Sequence, residues 1–273
     1  MKKLICALAL VPCLSHANTC KCFACAAPWP YVLTQTADES GSPILRGKKV
    51  AFIGDSITFG YPDPSTGYVK RFAELTGAIV QNLGVSATHI ARKNADDNRA
   101  FISRVESVDS DVDMVVVMGG TNDFGHPATA APFGSLLDGA NPDSFTFCAG
   151  VHNFFKALYD RFTAEGIPVV IILPLHHGNG VDVHEYDVAA DGSLTENVNS
   201  TTGKTYKEYV EAIREIAAYY SFDTVDAYSQ SGINGCVSRH FIPDGLHIGE
   251  AGAWKFAKFL VPKLEDVYRE FHN

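Results

Sequence analysis

From Lys48 onward, short apolar runs alternate with amphipathic segments, and this alternation constrains the fold more than any other feature of the chain. The apolar runs predict β-strands at residues 50–53, 78–83, 112–118, 169–173 and 222–225. Apolar residues recur at helical spacing over residues 68–75, 99–105, 148–163, 205–220 and 249–271. Strands that alternate with helices predict an α/β protein, a three-layer α/β/α sandwich with a mostly parallel sheet.

Size and charge narrow the classes of partner. The 273 residues are enough for one large α/β domain, which we assign to residues 47–273. The net charge of −9 argues against a nucleic-acid partner, because phosphate contacts require clustered Lys and Arg. No apolar stretch reaches about 18 residues, so we expect no integral membrane segment once the leader described next is removed.

The N-terminus has the pattern of an export signal. Lys2 and Lys3 precede an apolar stretch at residues 4–14, which is too short to span a bilayer. We predict a signal peptide at residues 1–17, cleaved after Ala17, with cleavage after Ala26 as the alternative. Residues 18–46 are then an N-terminal arm, and the protein is exported to the periplasm or the extracellular space. The competing interpretation is a buried N-terminal helix.

The cysteines depend on where the leader is cut. Seven are present, and cleavage after Ala17 leaves five, an odd number. Cleavage after Ala26 leaves only Cys148 and Cys236, which makes this pair the candidate disulfide in an oxidising compartment. A metal cluster at residues 20–25 is disfavoured, because no other Cys or His set has zinc-site spacing.

Ser56 is a candidate nucleophile. It follows the apolar run 50–53 in the order Gly-Asp-Ser, where the first predicted strand ends. In open α/β sheets, ligands bind outside the carboxyl ends of the strands. A serine needs a general base that a third group orients. Asp244 and His247, three residues apart, offer the orienting carboxylate and the base, and the order Ser, Asp, His is a known triad order.

Two further strand ends offer donors for a developing oxyanion. Gly84 ends the second predicted strand and allows close approach of its backbone N–H, and Asn122 follows the Val-rich strand with a side-chain amide. Alternatively, Gly84 could be an ordinary turn glycine and Asn122 a residue that caps a turn. Three consecutive strands that end in suitable groups favour the catalytic interpretation.

Four segments together resemble the SGNH (GDSL-type) hydrolase superfamily: residues 54–57 (Gly-Asp-Ser-Ile), Gly84, residues 120–123 (Gly-Thr-Asn-Asp) and residues 244–247 (Asp-Gly-Leu-His). The resemblance implies a flavodoxin-like sheet of five parallel strands, esterase chemistry without metal or other cofactor, and an acyl-enzyme on Ser56. It also implies an oxyanion hole made of the Ser56 N–H, the Gly84 N–H and the Asn122 side chain. The chain departs from the family pattern at Ile57, where Leu is common, and at Ala87, where similar proteins often carry Gly.

Two irregular stretches, residues 124–147 and 176–203, follow predicted strands and are candidate walls of a substrate site. The candidate substrate-binding residues are Asp55, Phe124, His126, His176 and His177. For Asp55 we favour a role in ordering the nucleophile turn, and for Asp123 a role in bracing the Asn122 loop. His176, His177, His184 and Glu185 could also hold a metal, an interpretation that we disfavour.

The expected function is a serine esterase that hydrolyses short acyl esters, acetyl esters above all, on a small-molecule or carbohydrate substrate. One alternative is a lysophospholipase or thioesterase, for which an apolar channel could be lined by Phe124, Phe133, Leu136, Leu137, Phe145 and Phe147. An alternative of another class is a glycan-binding module without catalytic activity. The complete set of Ser, Gly, Asn, Asp and His argues against such a module.

Overall fold

The computed structural model describes residues 42–178 and 182–272. The predicted signal peptide and all of the N-terminal arm before residue 42 lie outside the described residues. Within the described ranges, no helix is both long and apolar enough to cross a membrane.

The strands follow the predicted order. In chain order they are β1 (Lys49–Gly54), β2 (Ile79–Gly84), β3 (Met114–Met118), β4 (Val169–Leu173), β5 (Tyr186–Val188), β6 (Leu194–Glu196) and β7 (Asp223–Asp226). Five of them form a parallel sheet in the order β2-β1-β3-β4-β7, which confirms the flavodoxin-like prediction. β5 and β6 form a separate antiparallel hairpin within the predicted 176–203 loop.

Helices cover both faces of the sheet. They are α1 (Ser56–Phe59), α2 (Tyr68–Thr76), α3 (Thr121–Gly125), α4 (Phe147–Arg161), α5 (Tyr206–Tyr219), α6 (Ala227–Gln230) and α7 (Glu250–His272). Ala51 and Ile53 of β1 face a core shared with α4 and α5, whereas Val50 and Phe52 face a core shared with α2 and α7. Side chains that alternate between two cores give the predicted three layers.

The segment between β2 and β3 differs from the prediction. Residues 99–105 were expected to form an α-helix, but a 3-10 helix spans Phe101–Ser107. The Phe101 ring packs where Gly119 has no side chain, and its N–H donates to the His89 carbonyl at 2.8 Å. These contacts hold one end of the segment close to the carboxyl end of β3, and a short, tight helix fits there.

The candidate disulfide between Cys148 and Cys236 is not formed in the structure, where both thiols are free. Cys148 is buried in the first turn of α4, in the core beneath that helix. The Cys236 thiol lies in another segment and donates to the His177 carbonyl oxygen at 3.4 Å.

Close backbone packing fixes the turn that carries Ser56. A Cβ atom at Gly54 would overlap the Thr58 side chain and approach the Met118 carbonyl oxygen within 2.8 Å. A Cβ atom at Gly84 would overlap the main chain of Phe59. Helix α1 therefore lies directly against the ends of β1 and β2, and only glycine leaves room for it.

We expect Gly84→Ala to lower the free energy of unfolding by about 3 kcal/mol, because the new methyl group meets backbone that cannot yield. The matched control is Gly166→Ala, where φ is +80° and no atom lies within 4 Å. The control variant should lose only about 1 kcal/mol of unfolding free energy, because alanine is strained in the left-handed conformation. Urea unfolding of both variants measures the difference. Equal losses would show that close packing at residue 84 is not limiting.

Candidate active site

Ser56 is the first residue of α1, directly after the buried end of β1. The residue before it, Asp55, caps the helix: its Oδ1 accepts the Ile57 N–H at 2.9 Å. Asp55 is only 2% exposed. Its predicted role in ordering the nucleophile turn agrees with this contact, and its burial leaves no surface for a substrate to bind.

A chain of two hydrogen bonds joins Ser56 to a carboxylate. The Ser56 Oγ lies 2.9 Å from His247 Nε2, and His247 Nδ1 lies 2.7 Å from Asp244 Oδ2. Asp244 Oδ1 also accepts the N–H groups of Leu246 and His247, at 2.9 and 2.7 Å. The carboxylate therefore shapes the turn and orients the imidazole at the same time.

The electrostatics suit an ionised Asp244. Burial alone would raise the pKa of this carboxyl, but the hydrogen bonds from the His247 ring and from the Leu246 and His247 N–H groups outweigh it and lower the pKa. An ionised Asp244 accepts the Nδ1–H of His247, which leaves Nε2 as the acceptor for the Ser56 hydroxyl proton. This arrangement can abstract that proton and return it to a leaving group.

Asn122 and Asp123 lie in α3, at the carboxyl end of β3. The Asn122 Nδ2 donates to the Thr88 carbonyl oxygen at 2.8 Å, which uses one of the two amide hydrogens. The Asp123 carboxylate accepts the N–H groups of Ile90 and Ala91, both at 3.0 Å. Burial raises the pKa of Asp123, and the His89 charge and these N–H groups oppose the rise. Asp123 thus braces the loop beside Asn122, as predicted.

The backbone N–H of Gly84 does not have the role predicted for it. Its N–H donates to Asn82 Oδ1 at 2.9 Å, so it is not available to an oxyanion. Asn82 Nδ2 in turn donates to the Thr58 carbonyl oxygen at 2.9 Å. Gly84 is required because α1 packs on it, and the bond from its N–H fastens β2 to α1.

Two further residues lie near the site: Tyr61, which no sequence pattern indicated, and Ala87, which the sequence marked only as a departure from the family pattern. Tyr61 places its ring 4.5 Å from the His247 ring, at an angle of 42°. Ala87 is exposed and has a φ of +59°, a left-handed conformation that is uncommon for a residue with a side chain. The glycine that similar proteins often carry at position 87 was the available signal for the second residue.

Two of the predicted wall residues are buried, which contradicts their assignment. Phe124 is 0% exposed and its ring packs between His177, Tyr206 and Tyr209. His177 is 1% exposed, and neither ring nitrogen has a hydrogen-bond partner within the described residues. Burial lowers the pKa of His177 to about 3, so this imidazole is neutral. Both side chains belong to the core, not to a surface that could contact substrate.

His126 and His176 remain accessible. His126 Nδ1 lies 3.3 Å from Asp182 Oδ2. His176 Nδ1 lies 2.9 Å from both oxygens of Glu185, a carboxylate that is 0% exposed and also accepts the Tyr228 hydroxyl. Within residues 42–178 and 182–272, no three His, Cys, Asp or Glu side chains are arranged as ligands of a metal ion.

The buried carboxyl of Asp55 predicts a pH dependence of stability. Burial raises its pKa from 3.8 to about 6, against the effects of the Ile57 N–H and of His247. The folded protein then holds the proton more tightly than the unfolded chain, so Asp55 makes stability fall as pH rises from about 4 to about 6. Asp55→Asn keeps an acceptor for Ile57 and removes the charge. Relative to the wild type, we expect this variant to gain on the order of 2 kcal/mol between pH 4 and pH 7, measured by urea unfolding.

Asp63 supplies the matched control for that experiment. It caps a short 3-10 helix, and its Oδ1 accepts the Ser65 N–H at 2.9 Å, as Asp55 does for Ile57. It is exposed, and its hydrogen bonds with Ser65 lower its pKa. Because this lowered pKa lies below the pH range of the experiment, Asp63→Asn should show no comparable gain between pH 4 and pH 7. A flat pH response in Asp55→Asn would contradict the raised pKa.

A model of the GDSL-like lipase/acylhydrolase family matches residues 52–255. A solved structure of a protein from Lactobacillus plantarum is 24% identical, with 81% of this chain and 98% of that chain covered and a TM-score of 0.65. The lipase/acylhydrolase from Enterococcus faecalis is 21% identical, with 80% and 96% covered and a TM-score of 0.51.

A carbohydrate acetylesterase family member from Sinorhizobium meliloti is 16% identical, with 81% of this chain and 99% of that chain covered and a TM-score of 0.54. At these identities the three structures support the fold alone. No curated protein matches the chain. The family model spans well over half of the sequence, so the protein belongs to the GDSL-like lipase/acylhydrolase family and is a carboxylic ester hydrolase.

Proposed function

We propose that the protein is an exported serine esterase that removes short acyl groups, acetyl groups above all, from carbohydrate. The observation that carries the catalytic part is the continuous path from the Ser56 hydroxyl through the His247 ring to the Asp244 carboxylate, with contacts of 2.9 and 2.7 Å. Export is inferred from the N-terminal sequence pattern.

In the proposed reaction, the Ser56 Oγ attacks the ester carbonyl carbon while His247 Nε2 accepts its proton. The tetrahedral intermediate collapses, the bond to the alkoxy oxygen breaks, and His247 donates the proton to the departing alcohol. Water then attacks the acyl-enzyme with His247 again as the base, and the carboxylic acid is released. Asp244 holds the tautomer throughout.

The proposed oxyanion donors are the Ser56 N–H, the free amide hydrogen of Asn122 and the Ala87 N–H. Ser56 and Asn122 are the predicted pair, and Ala87 takes the place first assigned to Gly84. The support for Ala87 is its place next to Thr88, whose carbonyl oxygen binds Asn122 at 2.8 Å, and its exposed left-handed backbone. Strained backbone of this kind is enriched at active sites.

A short acyl group is favoured because the aromatic side chains that could line a long channel are packed against one another. Phe124 and Phe147 are at most 1% exposed. The Phe133 ring lies 5.6 Å from Phe147 and 5.0 Å from Tyr209, within the same cluster. Because these three rings pack on one another, they do not line an open channel of the kind that a lysophospholipase or a long-chain thioesterase would need.

A bulky alcohol is favoured because the site is open. The Asp244 side chain is 47% exposed and that of His247 17% exposed. Tyr61 lies against His247, is 46% exposed and offers an aromatic face at the entrance. His126 and His176 remain candidates for contacts with the alcohol part of the substrate, and a sugar chain is an alcohol that such an open edge can accept.

Ser56→Ala should lower kcat for p-nitrophenyl acetate by on the order of 10⁶-fold, and Asp244→Asn by on the order of 10⁴-fold, because the first removes the nucleophile and the second the group that orients its base. Ser65→Ala, at an exposed serine outside the site, is the matched control and should retain wild-type activity. Circular dichroism checks that all three variants fold. Full activity of Ser56→Ala would exclude the assigned nucleophile.

The same variants separate the enzyme from a glycan-binding module that merely has the fold. A fluorophosphonate probe should label the wild type covalently and leave Ser56→Ala unlabelled, since only an activated serine reacts. An unlabelled wild type that still binds glycans would favour the module.

We expect kcat/KM to fall by about tenfold or more from p-nitrophenyl acetate to the octanoate ester, because the packed aromatic cluster leaves no room for the longer chain. Rates of alkaline hydrolysis of each ester correct for their intrinsic reactivity. A kcat/KM that rises with chain length would favour the lysophospholipase or thioesterase alternative.

A further inference from the structure

Two cavities on the outer side of α4 form one groove. Their volumes are about 310 and 510 Å³, and both are lined by Ala140, Lys156 and Asp160. We call this surface the α4 groove; residues 139–144 form its wall, and residues 153–160 of α4 form its floor. Neither cavity is lined by Ser56, Asp244 or His247, so the groove is separate from the candidate active site.

The wall of the groove is anchored to its floor. His152 Nε2 lies 3.0 Å from the Leu136 carbonyl oxygen, and Asn153 Nδ2 donates to the Asn141 carbonyl oxygen at 2.7 Å. Thr146 Oγ1, at the cap of α4, donates to Asp138 at 3.0 Å. Polar contacts at three points hold the loop in place, so the concave surface is formed before any ligand binds.

The groove runs along the direction of the strands, from their carboxyl ends, where the candidate active site lies, toward their amino ends. At one end it is lined by Ile90, whose N–H donates to Asp123, next to Asn122. At the other end it is lined by Tyr219, Tyr220 and Ser221, where α5 ends before β7 begins. Because the parallel strands all have their carboxyl ends on the side of the candidate active site, the start of β7 lies on the opposite side of the sheet. An elongated ligand fits this path better than a compact one.

Exposed aromatic rings lie at the far end. Tyr219 is 74% exposed and Tyr159 is 40% exposed. Their ring centroids lie 5.0 and 6.3 Å from that of Tyr220, which is largely buried and donates its hydroxyl to the His152 carbonyl oxygen at 3.2 Å. Within the described residues, the hydroxyls of Tyr159 and Tyr219 make no hydrogen bond. The two exposed amphipathic rings therefore pack against a tyrosine that is itself held in place by a hydrogen bond.

The chemistry of the lining selects among possible ligands. The aliphatic C–H groups of a sugar ring carry slight positive charge and pack on the negative face of an aromatic ring. Asn153, Lys156 and Asp160 offer donors and acceptors for hydroxyl groups. Lys156 and Asp160 pair with each other, and Arg92 adds one positive charge at the Ile90 end of the groove. The chain's net charge of −9 disfavours an anionic membrane surface.

We propose that the α4 groove binds a polysaccharide chain and so holds a polymeric substrate on the enzyme. The choice of a glycan as ligand rests on the proposed function; the groove, its anchored wall and its exposed tyrosines do not. Binding at this surface raises the local concentration of ester groups near Ser56 without taking part in the bond-breaking step.

The test is affinity electrophoresis of the Ser56→Ala protein in gels that contain glucomannan, xylan or hydroxyethyl cellulose. We expect at least one polymer to retard the protein. Adding Tyr219→Ala and Tyr159→Ala should weaken the apparent affinity by about tenfold, because both stacking faces are lost. The control adds Phe271→Ala instead, at an aromatic residue that is 40% exposed in α7 and should leave retardation unchanged.

The proposal also predicts a split in activity. With Ser56 restored, the double tyrosine variant should keep the wild-type rate on p-nitrophenyl acetate and lose rate on the retarding polymer in its acetylated form. Retardation without any acetyl release by the wild type would keep the groove and overturn the proposed function. Acetyl release without retardation would support the proposed function and overturn the groove as a glycan site.

Three results would overturn the groove as a glycan site. The first is no retardation by any of the three polymers, and the second is equal retardation of the tyrosine variant and its parent. The third is a different occupant: phosphatidylcholine vesicles that sediment with the protein, or a dimer seen by analytical ultracentrifugation, when either is lost in the tyrosine variant. Circular dichroism of the variant excludes misfolding as the cause of lost retardation.

Discussion

The contact between Ser56 and His247 joins residues 191 positions apart, and the proposed chemistry depends on it. A single hydrogen bond stabilises a fold by only about 1 kcal/mol, which is too little to bring two distant segments together. Packing must therefore set the distance. Each of the two residues is followed by a helix of the same layer: α2 comes after Ser56 and α7 after His247.

The interface between α2 and α7 is both apolar and charged. Tyr68 and Phe256 meet edge to face with ring centroids 5.0 Å apart. Arg71 lies 4.9 Å from the Trp254 ring centroid and 3.2 Å from Glu250 at the start of α7. Buried aromatic pairs contribute more than one hydrogen bond does, so this interface determines where His247 stands relative to Ser56. On the other side, the glycines at positions 54 and 84 fix α1 against the sheet.

The sequence predicts those features that short-range patterns encode. The strand at residues 169–173 and β4 have the same bounds, and the parallel order follows from the alternation of strands with helices. The turn that joins Asp244 to His247 depends on residues three positions apart, so its shape is also local.

Most of the errors concern contacts between residues that are far apart in the sequence. Gly84 was expected to present its N–H to substrate, but the distant Phe59 main chain packs against it. The bond from its N–H to Asn82 is the exception, because it is local and joins residues only two positions apart. His177 follows the end of a strand, as exposed residues do, yet the Phe124 and Tyr206 rings cover it. Cysteine counts carry no information on distance, so the sequence could name Cys148 and Cys236 as a candidate pair but could not decide whether they bond.

In the proposed function, the open candidate active site and the separate α4 groove make different contributions to substrate binding. An open site with little buried area can accept many alcohols, but it gains little binding energy from any of them. A polymer can obtain that energy elsewhere on the surface, where a groove with two exposed rings adds contact without narrowing the site. The aromatic residues divide in the same way: Phe124 and Phe147 lie in the core with Phe133 packed against it, and under the proposed function they restrict the acyl side, whereas Tyr159 and Tyr219 remain on the surface. Selectivity for a short acyl group and tolerance of a large alcohol can therefore coexist, because different side chains govern them.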